Sequence, residues 1–303
     1  MTSAVPAGSR AGSSGESSAE DPCPSTTALF AAAARAAHPL VDDPPVIFND
    51  SLAVPVFGED LAQPLGYHRV QGASPVLVAI RVQATVRSAY LERVLARAVA
   101  EGVEQYVLLG AGLDTFAHRQ DPASRLRVFE VDRPQMQEWK RRRLARAHVP
   151  VPDTVSYVPA DLTTDNLPEL LSAAGLEHDV PTLFGCLGFT MYLAEDDLAA
   201  LLTGLAGSVR PGAAWLVADH RPPCPSPQRA ALAQAVEDMG EPWRSCFDEK
   251  GFAELLARCG FPTLEQVSLR QAVPAQLWNR TDPLIGDGPW ILTTARTAAA
   301  PPS

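Results

Sequence analysis

From residue 105 onward, short apolar runs alternate with longer amphipathic stretches, and this alternation restricts the fold more than any other feature. The runs are Gln105–Leu109, Leu126–Val131, Val155–Val158, Thr182–Leu187, Ala214–Ala218 and Pro289–Thr294. Between and after them, helical spacing predicts helices over Gln135–Arg146, Leu167–Ala174, Asp196–Leu205, Ala230–Met239 and Phe252–Arg258. Strand and helix in strict succession imply an α/β fold with a parallel sheet covered on both faces. Ligands of such sheets bind beyond the carboxyl ends of the strands. The segments that follow each apolar run are therefore where chemistry is expected.

The chain before residue 105 is different. Residues 1–24 are rich in Ser, Gly and Ala, offer little to bury, and are expected to be disordered. Ala28–Ala37 reads as a short Ala-rich helix, and residues 38–75 mix prolines with Val46, Ile47, Phe48, Leu52, Val54, Val56 and Phe57. This predicts a helical N-terminal cap over 25–85, followed by a core over 86–300, within one domain spanning 25–303. Residues 76–101 read as a helix, with Val86, Tyr90, Leu91, Val94, Leu95 and Ala98 on one face and Gly102 as its C-cap.

Composition excludes several classes. The net charge of −10 offers no basic footprint for phosphates, and Lys140–Arg143, the densest basic run, reads as a solvated helix face. Nucleic acid is therefore not an expected partner. The five cysteines form no CxxC pair and the six histidines no HExxH, so neither a disulfide framework nor a metal site is indicated. No apolar segment is long enough to span a bilayer and the start lacks a signal-peptide core, so a cytoplasmic protein is expected.

The first run ends in Gly110-Ala111-Gly112-Leu113-Asp114-Thr115. Two glycines one residue apart allow a sharp turn and close approach of backbone to a ligand. The second run ends in Glu130-Val131-Asp132, and Asp132 stands 22 positions after Gly110. That spacing suits an acid accepting hydrogen bonds from a ribose diol. After the third run comes Asp161-Leu162, where an acid can accept from an adenine amine; an N-cap is the alternative. A dinucleotide site would need a third glycine where Thr115 stands, and Asp114 would repel a pyrophosphate. The same acid suits a cation. The pattern thus favours S-adenosylmethionine, a sulfonium with an ammonium, over NAD(P).

These segments carry a resemblance. Arg87–Arg119, Phe129–Lys140, Asp161-Leu162, Leu183–Leu193, Gly240–Asp248 and Leu255–Phe261 together look like the leucine carboxyl methyltransferase family, with its polyketide carboxyl O-methyltransferase relatives, over about residues 40–295. The resemblance implies a Rossmann-like class I methyltransferase fold, with seven strands, the last antiparallel, and a helical N-terminal cap. It implies that Arg87 binds the cofactor carboxylate, that Gly110, Ala111, Gly112 and Asp114 line the cofactor loop, and that Glu130 and Asp132 lie on the ribose side. Asp161 and Leu162 would take the adenine. Many members have Glu-Gly after the fourth strand, whereas this chain has Leu187-Gly188, as one subgroup does.

Methyl transfer to an ionised carboxylate needs no general base, whereas a phenol usually wants one. Asp219-His220 and Tyr192, which follow expected strands, and Tyr67, His68 and Arg69 in the cap are the candidates for the acceptor side. The expected activity is O-methylation of a small-molecule carboxylate or hydroxyl in secondary metabolism. Two other classes remain open on sequence: a methyltransferase fold that binds the cofactor without transferring methyl, and an NAD(P)-dependent oxidoreductase.

Overall fold

The structure, a computed structural model, describes residues 25–121, 123–223, 237 and 241–299. Its centre is a seven-stranded sheet of β1 (Gln105–Leu109), β2 (Arg127–Asp132), β3 (Val155–Pro159), β4 (Thr182–Cys186), β5 (Ala214–His220), β6 (Thr263–Ser268) and β7 (Ile291–Arg296). The order is β3-β2-β1-β4-β5-β7-β6. Strands β1 to β5 are parallel, and β7 runs antiparallel to both β5 and β6. Every residue of β1, β4 and β5 is buried. This is why these segments read as continuous apolar runs rather than as alternations.

Helices cover both faces. On one, α7 (Leu167–Ala173), α8 (Glu195–Gly207) and α9 (Glu249–Arg258) pack Leu171, Leu198, Leu202, Phe252 and Leu255 against Val107, Leu109, Phe129 and Phe184. On the other lies α4 (Pro75–Ala100), started by Pro75 in its first turn, where a missing N–H costs nothing. It packs Val86, Tyr90, Leu91, Val94 and Leu95 on Tyr106, Leu108 and Val217. A third cluster joins α1 (Thr26–Val41) and α2 (Ala53–Phe57) to α6 (Pro134–Arg146) through Ala32, Ala33, Ala36, Phe57, Leu61 and Trp139.

The expected strands are found, with ends shifted by one or two residues. Strand β6 was not anticipated by the pattern: it sits at the edge, and its sequence TLEQVS alternates weakly. The expected helix Ala230–Met239 lies, apart from Glu237, outside the described residues. The N-terminal region holds α1, α2 and α3 (Ala62–Gln71). It is pinned to α4 by the buried Arg81, which donates from Nε and from a terminal nitrogen to the two oxygens of Asp42, both at 2.8 Å, and to His68 Nδ1 at 3.1 Å. His68 is thus a buried member of this anchor, while Tyr67 and Arg69 are exposed. No described helix is long and apolar enough to cross a membrane.

Three histidines have side chains shielded from water, and for each the desolvation outweighs its acidic neighbours. Burial lowers His68, His118 and His220 each to about 4. The unfolded chain binds protons below about 6.5 and the folded chain does not until about 4, so stability falls as pH drops through that window. Each histidine adds a slope of at most about 1.4 kcal/mol per pH unit. Thermal melts are expected to show a steep loss between pH 6.5 and 4, and His68→Gln should flatten that slope.

Candidate active site

The strand order reverses between β1 and β4, and the residues beyond β1, β2, β4 and β5 converge at that switch point. The register fixes the arrangement: Leu109 lies beside both Val131 and Cys186, and Cys186 beside Ala218. The next residue on each strand therefore opens into one crevice.

The loop after β1 is shaped by its glycines. Gly110 has φ +60° and Gly112 φ +45°, and a Cβ on Gly110 would lie 3.0 Å from the Phe189 ring. The Ala111 N–H donates to Val131 O at 3.0 Å, and the Gly112 N–H donates to Asp132 Oδ2 at 2.6 Å. Asp132 Oδ1 accepts from the Arg133 N–H at 2.7 Å. Burial raises the Asp132 pKa, while these backbone donors oppose the rise. Each carboxylate oxygen keeps a further lone pair for a ligand. Asp114 Oδ1 accepts from the Phe116 N–H at 2.7 Å, a local turn that leads into the short helix α5 (Phe116–Arg119), whose N-cap position is Thr115.

The position of Thr115, where a dinucleotide fingerprint has its third glycine, has another use here. Thr115 is buried, donates from Oγ1 to Asp50, and accepts from Arg119 Nε at 2.8 Å. Arg35 of α1 pairs with the same Asp50 at 3.1 Å and donates to Leu113 O at 2.8 Å. Helix α1 thus holds the loop from the N-terminal side. Its first turn also reaches over the crevice. Ala28 Cβ lies 3.8 Å from where a Cβ of Gly112 would be. The Ser25 and Thr27 hydroxyls donate to the two oxygens of Glu241. Tyr192 is hydrogen-bonded to Thr27 and Trp243.

Glu130 lies two residues inside the strand end and does not reach the crevice mouth. It is fully buried, bonded to Lys140 Nζ at 2.7 Å, with His118 Nε2 3.9 Å away. Burial raises its pKa and Lys140 opposes this. Its neighbourhood explains the polar residue in an apolar strand: Glu130 anchors α6 beneath Asp132. Asp161 is not the N-cap of α7, a position that falls to Asn166. It closes a turn, accepting from the Thr163 N–H at 2.9 Å and the Thr163 hydroxyl at 2.6 Å, and the Thr163 bonds lower its pKa. Leu162 packs on the core at its side.

Arg87, on α4, points to the ends of β4 and β5. Its guanidinium lies 3.7 Å from Asp219 Oδ2 and against Gly188, where a Cβ would come within 2.7 Å of it. Gly188 has φ +79°, and its N–H donates to Asp219 Oδ1 at 2.8 Å. Leu187 packs on the α4 side and brings no charge. Asp219 and His220 are consecutive on a strand and so point to opposite faces. His220 stacks on Phe252 at 4.2 Å and its Nδ1 is 3.4 Å from the Thr293 hydroxyl. The two therefore form no acid–base dyad. Among the described residues no group of three or more His, Cys, Asp and Glu is placed to hold a metal.

Spacing offered no reason to select Asp50, Arg35, Ser25, Thr27 or Glu241, which come together only through the packing of α1. A buried Arg in an Ala-rich helix was the one available signal.

Residues 28–206 match the family described as leucine carboxyl methyltransferase. The Bacillus subtilis protein YktD, provisionally described as an S-adenosyl-L-methionine-dependent methyltransferase, is 30% identical over 80% of this chain and 88% of its own length. A Mycolicibacterium smegmatis protein of the same provisional description is 35% identical over 64% of this chain and 65% of its own. Among solved structures, a Thermobifida fusca protein provisionally titled a methyltransferase superposes with TM-score 0.59 at 17% identity, over 91% of this chain and 96% of the other. A DUF574 family protein from Streptomyces avermitilis gives 0.54 at 18%, over 87% and 96%. At such identities these structures speak to the fold: the Rossmann-like α/β sheet with β7 antiparallel.

Proposed function

The chain belongs to the leucine carboxyl methyltransferase family, is an S-adenosylmethionine-dependent methyltransferase, and on that premise we propose that it methylates a carboxylate oxygen of a small molecule. When bound, S-adenosylmethionine supplies a methyl group activated by a sulfonium. The residues fit that cofactor. The free lone pairs of Asp132 accept from a diol. Gly110 and Gly112 carry no side chains, so the backbone of the turn can approach a nucleoside closely. Asp161 and Leu162 border the adenine end. Arg87 faces the cofactor carboxylate, and the acidic loop residue Asp114 favours a cation over a pyrophosphate.

The observation that carries the choice of acceptor is the state of the candidate bases. His220 is held near 4, too weak a base to help a phenol with a pKa near 10. Burial raises Tyr192, which stays protonated at neutral pH. Asp219 is bonded to the Gly188 N–H and faces Arg87. A carboxylate arrives already ionised, so what is asked of these side chains is alignment and exclusion of water. The Ser25, Thr27 and Glu241 contacts above Gly112 serve the second of these tasks.

The test is direct. Purified protein is incubated with S-adenosylmethionine and matched carboxylic acids and phenols, and methyl esters and ethers are quantified by mass spectrometry. Esters are expected, with rates nearly constant from pH 6 to 8. Products confined to phenols, with rates climbing towards pH 9, would overturn the carboxylate reading.

A further inference from the structure

We propose that Asp219 recognises the α-ammonium of the cofactor, and so makes the enzyme selective for nucleosides that carry the intact amine. This rests on the cofactor reading above. Asp219 is 1% exposed, and its Oδ2 has no hydrogen-bond partner, although Oδ1 is satisfied by the Gly188 N–H. A buried carboxylate oxygen left without a donor is costly, and such an atom at a switch point is what a ligand donor would satisfy. The nearest cation, Arg87, approaches only to 3.7 Å, beyond a direct hydrogen bond.

The surroundings specify the donor. Arg87 already supplies positive charge on the α4 side, so a ligand carboxylate goes to Arg87 and a ligand cation to Asp219. The pair then reads a zwitterion, each charge meeting its opposite. Leu187, the first residue after β4, supplies no competing acid. Asp114, the other acid of the loop, is half-exposed and has Oδ1 committed to the Phe116 N–H. Gly188 is required by the same arrangement: its left-handed φ aims its N–H at Asp219, and a side chain there would strike the Arg87 guanidinium. Asp219 is thus a specificity-determining residue placed two strands away from the glycine loop.

The experiment compares three probes by calorimetry: S-adenosylhomocysteine, its decarboxylated analogue that keeps the amine, and 5′-methylthioadenosine, which has neither group. The variant is Asp219→Asn, which preserves an acceptor for the Gly188 N–H. The expected result is a loss of at least about tenfold for both amine-bearing probes, by the same factor, with 5′-methylthioadenosine unchanged. An equal loss for all three probes would overturn the proposal in favour of a structural role. A loss confined to S-adenosylhomocysteine would overturn it by showing that Asp219 acts through Arg87 on the carboxylate. No loss for any probe would overturn it outright. If the wild-type protein bound none of the three, the cofactor reading itself would fall, an outcome distinct from each of these.

Discussion

Asp132→Ala is expected to weaken S-adenosylhomocysteine binding by about a hundredfold while the chain stays folded. The geometry sets the size. Asp132 is held by two short backbone bonds, from Gly112 at 2.6 Å and Arg133 at 2.7 Å, so its carboxylate is oriented before a ligand arrives. Two charge-assisted hydrogen bonds to a ribose diol are worth about 1.5 kcal/mol each, or about 3 kcal/mol together, which is roughly two decades in affinity. Part of the loss is indirect, because the Gly112 N–H would no longer be pinned to β2. Calorimetry measures the loss, and a circular dichroism melt checks the fold. A change of less than about threefold would show that the nucleoside sugar does not meet Asp132.

The second large effect concerns stability. Lys140→Met is expected to destabilise the protein by about 3–5 kcal/mol at pH 8, because it leaves Glu130 buried without its cation. Both side chains are almost completely buried, and they meet at 2.7 Å. Glu130 Oε1 already lacks a hydrogen-bond partner, so the carboxylate depends on Lys140 at its other oxygen. The sign with pH follows from the raised pKa of Glu130. The folded state holds its proton more tightly than the unfolded one, so the deficit shrinks as pH falls towards the folded pKa and the carboxyl becomes neutral. Adding Glu130→Gln should recover most of the loss at pH 8. Urea denaturation of the single and double variants measures both effects. A deficit indifferent to pH, unrelieved by Glu130→Gln, would mean that lost packing of the lysine stem is responsible.

The positions of β1, β2, β4 and β5 were legible because buried parallel strands are apolar on both faces and are separated by recognisable helices. The loop after β1 was legible for a related reason: the left-handed φ values of Gly110 and Gly112 demand glycine, so the backbone requirement is written into the composition. Asp132 was legible through its distance from that loop. Strand β6 was not, since an edge strand with one neighbour needs no apolar run. Glu130 shows the opposite failure. An acid near a strand end looks like a ligand residue, and only the fold reveals that Glu130, on the same face as Asp132 but two residues deeper, is covered by α6 and bonded to Lys140. Asp219-His220 failed in a similar way. Adjacent polar residues suggest a pair, but the pleat separates them. The network of Arg35, Asp50 and Thr115 depends on where α1 lands on the sheet, a tertiary fact that local spacing does not carry.

The contact of Ser25 and Thr27 with Glu241 joins positions 216 and 214 residues apart. During synthesis, α1 leaves the ribosome before any strand exists, while Glu241 emerges after β5. A nascent chain that has already paired β1 with β4 can therefore have its glycine turn with α1 docked beside it, but not the Glu241 contact that ties down the first turn of α1. Contacts of such separation form late, because the chain entropy of closing a long loop precedes any gain from the contact. The seal made by Glu241 therefore forms only after the segment beyond β5 has emerged, which delays a closed crevice until that segment is made.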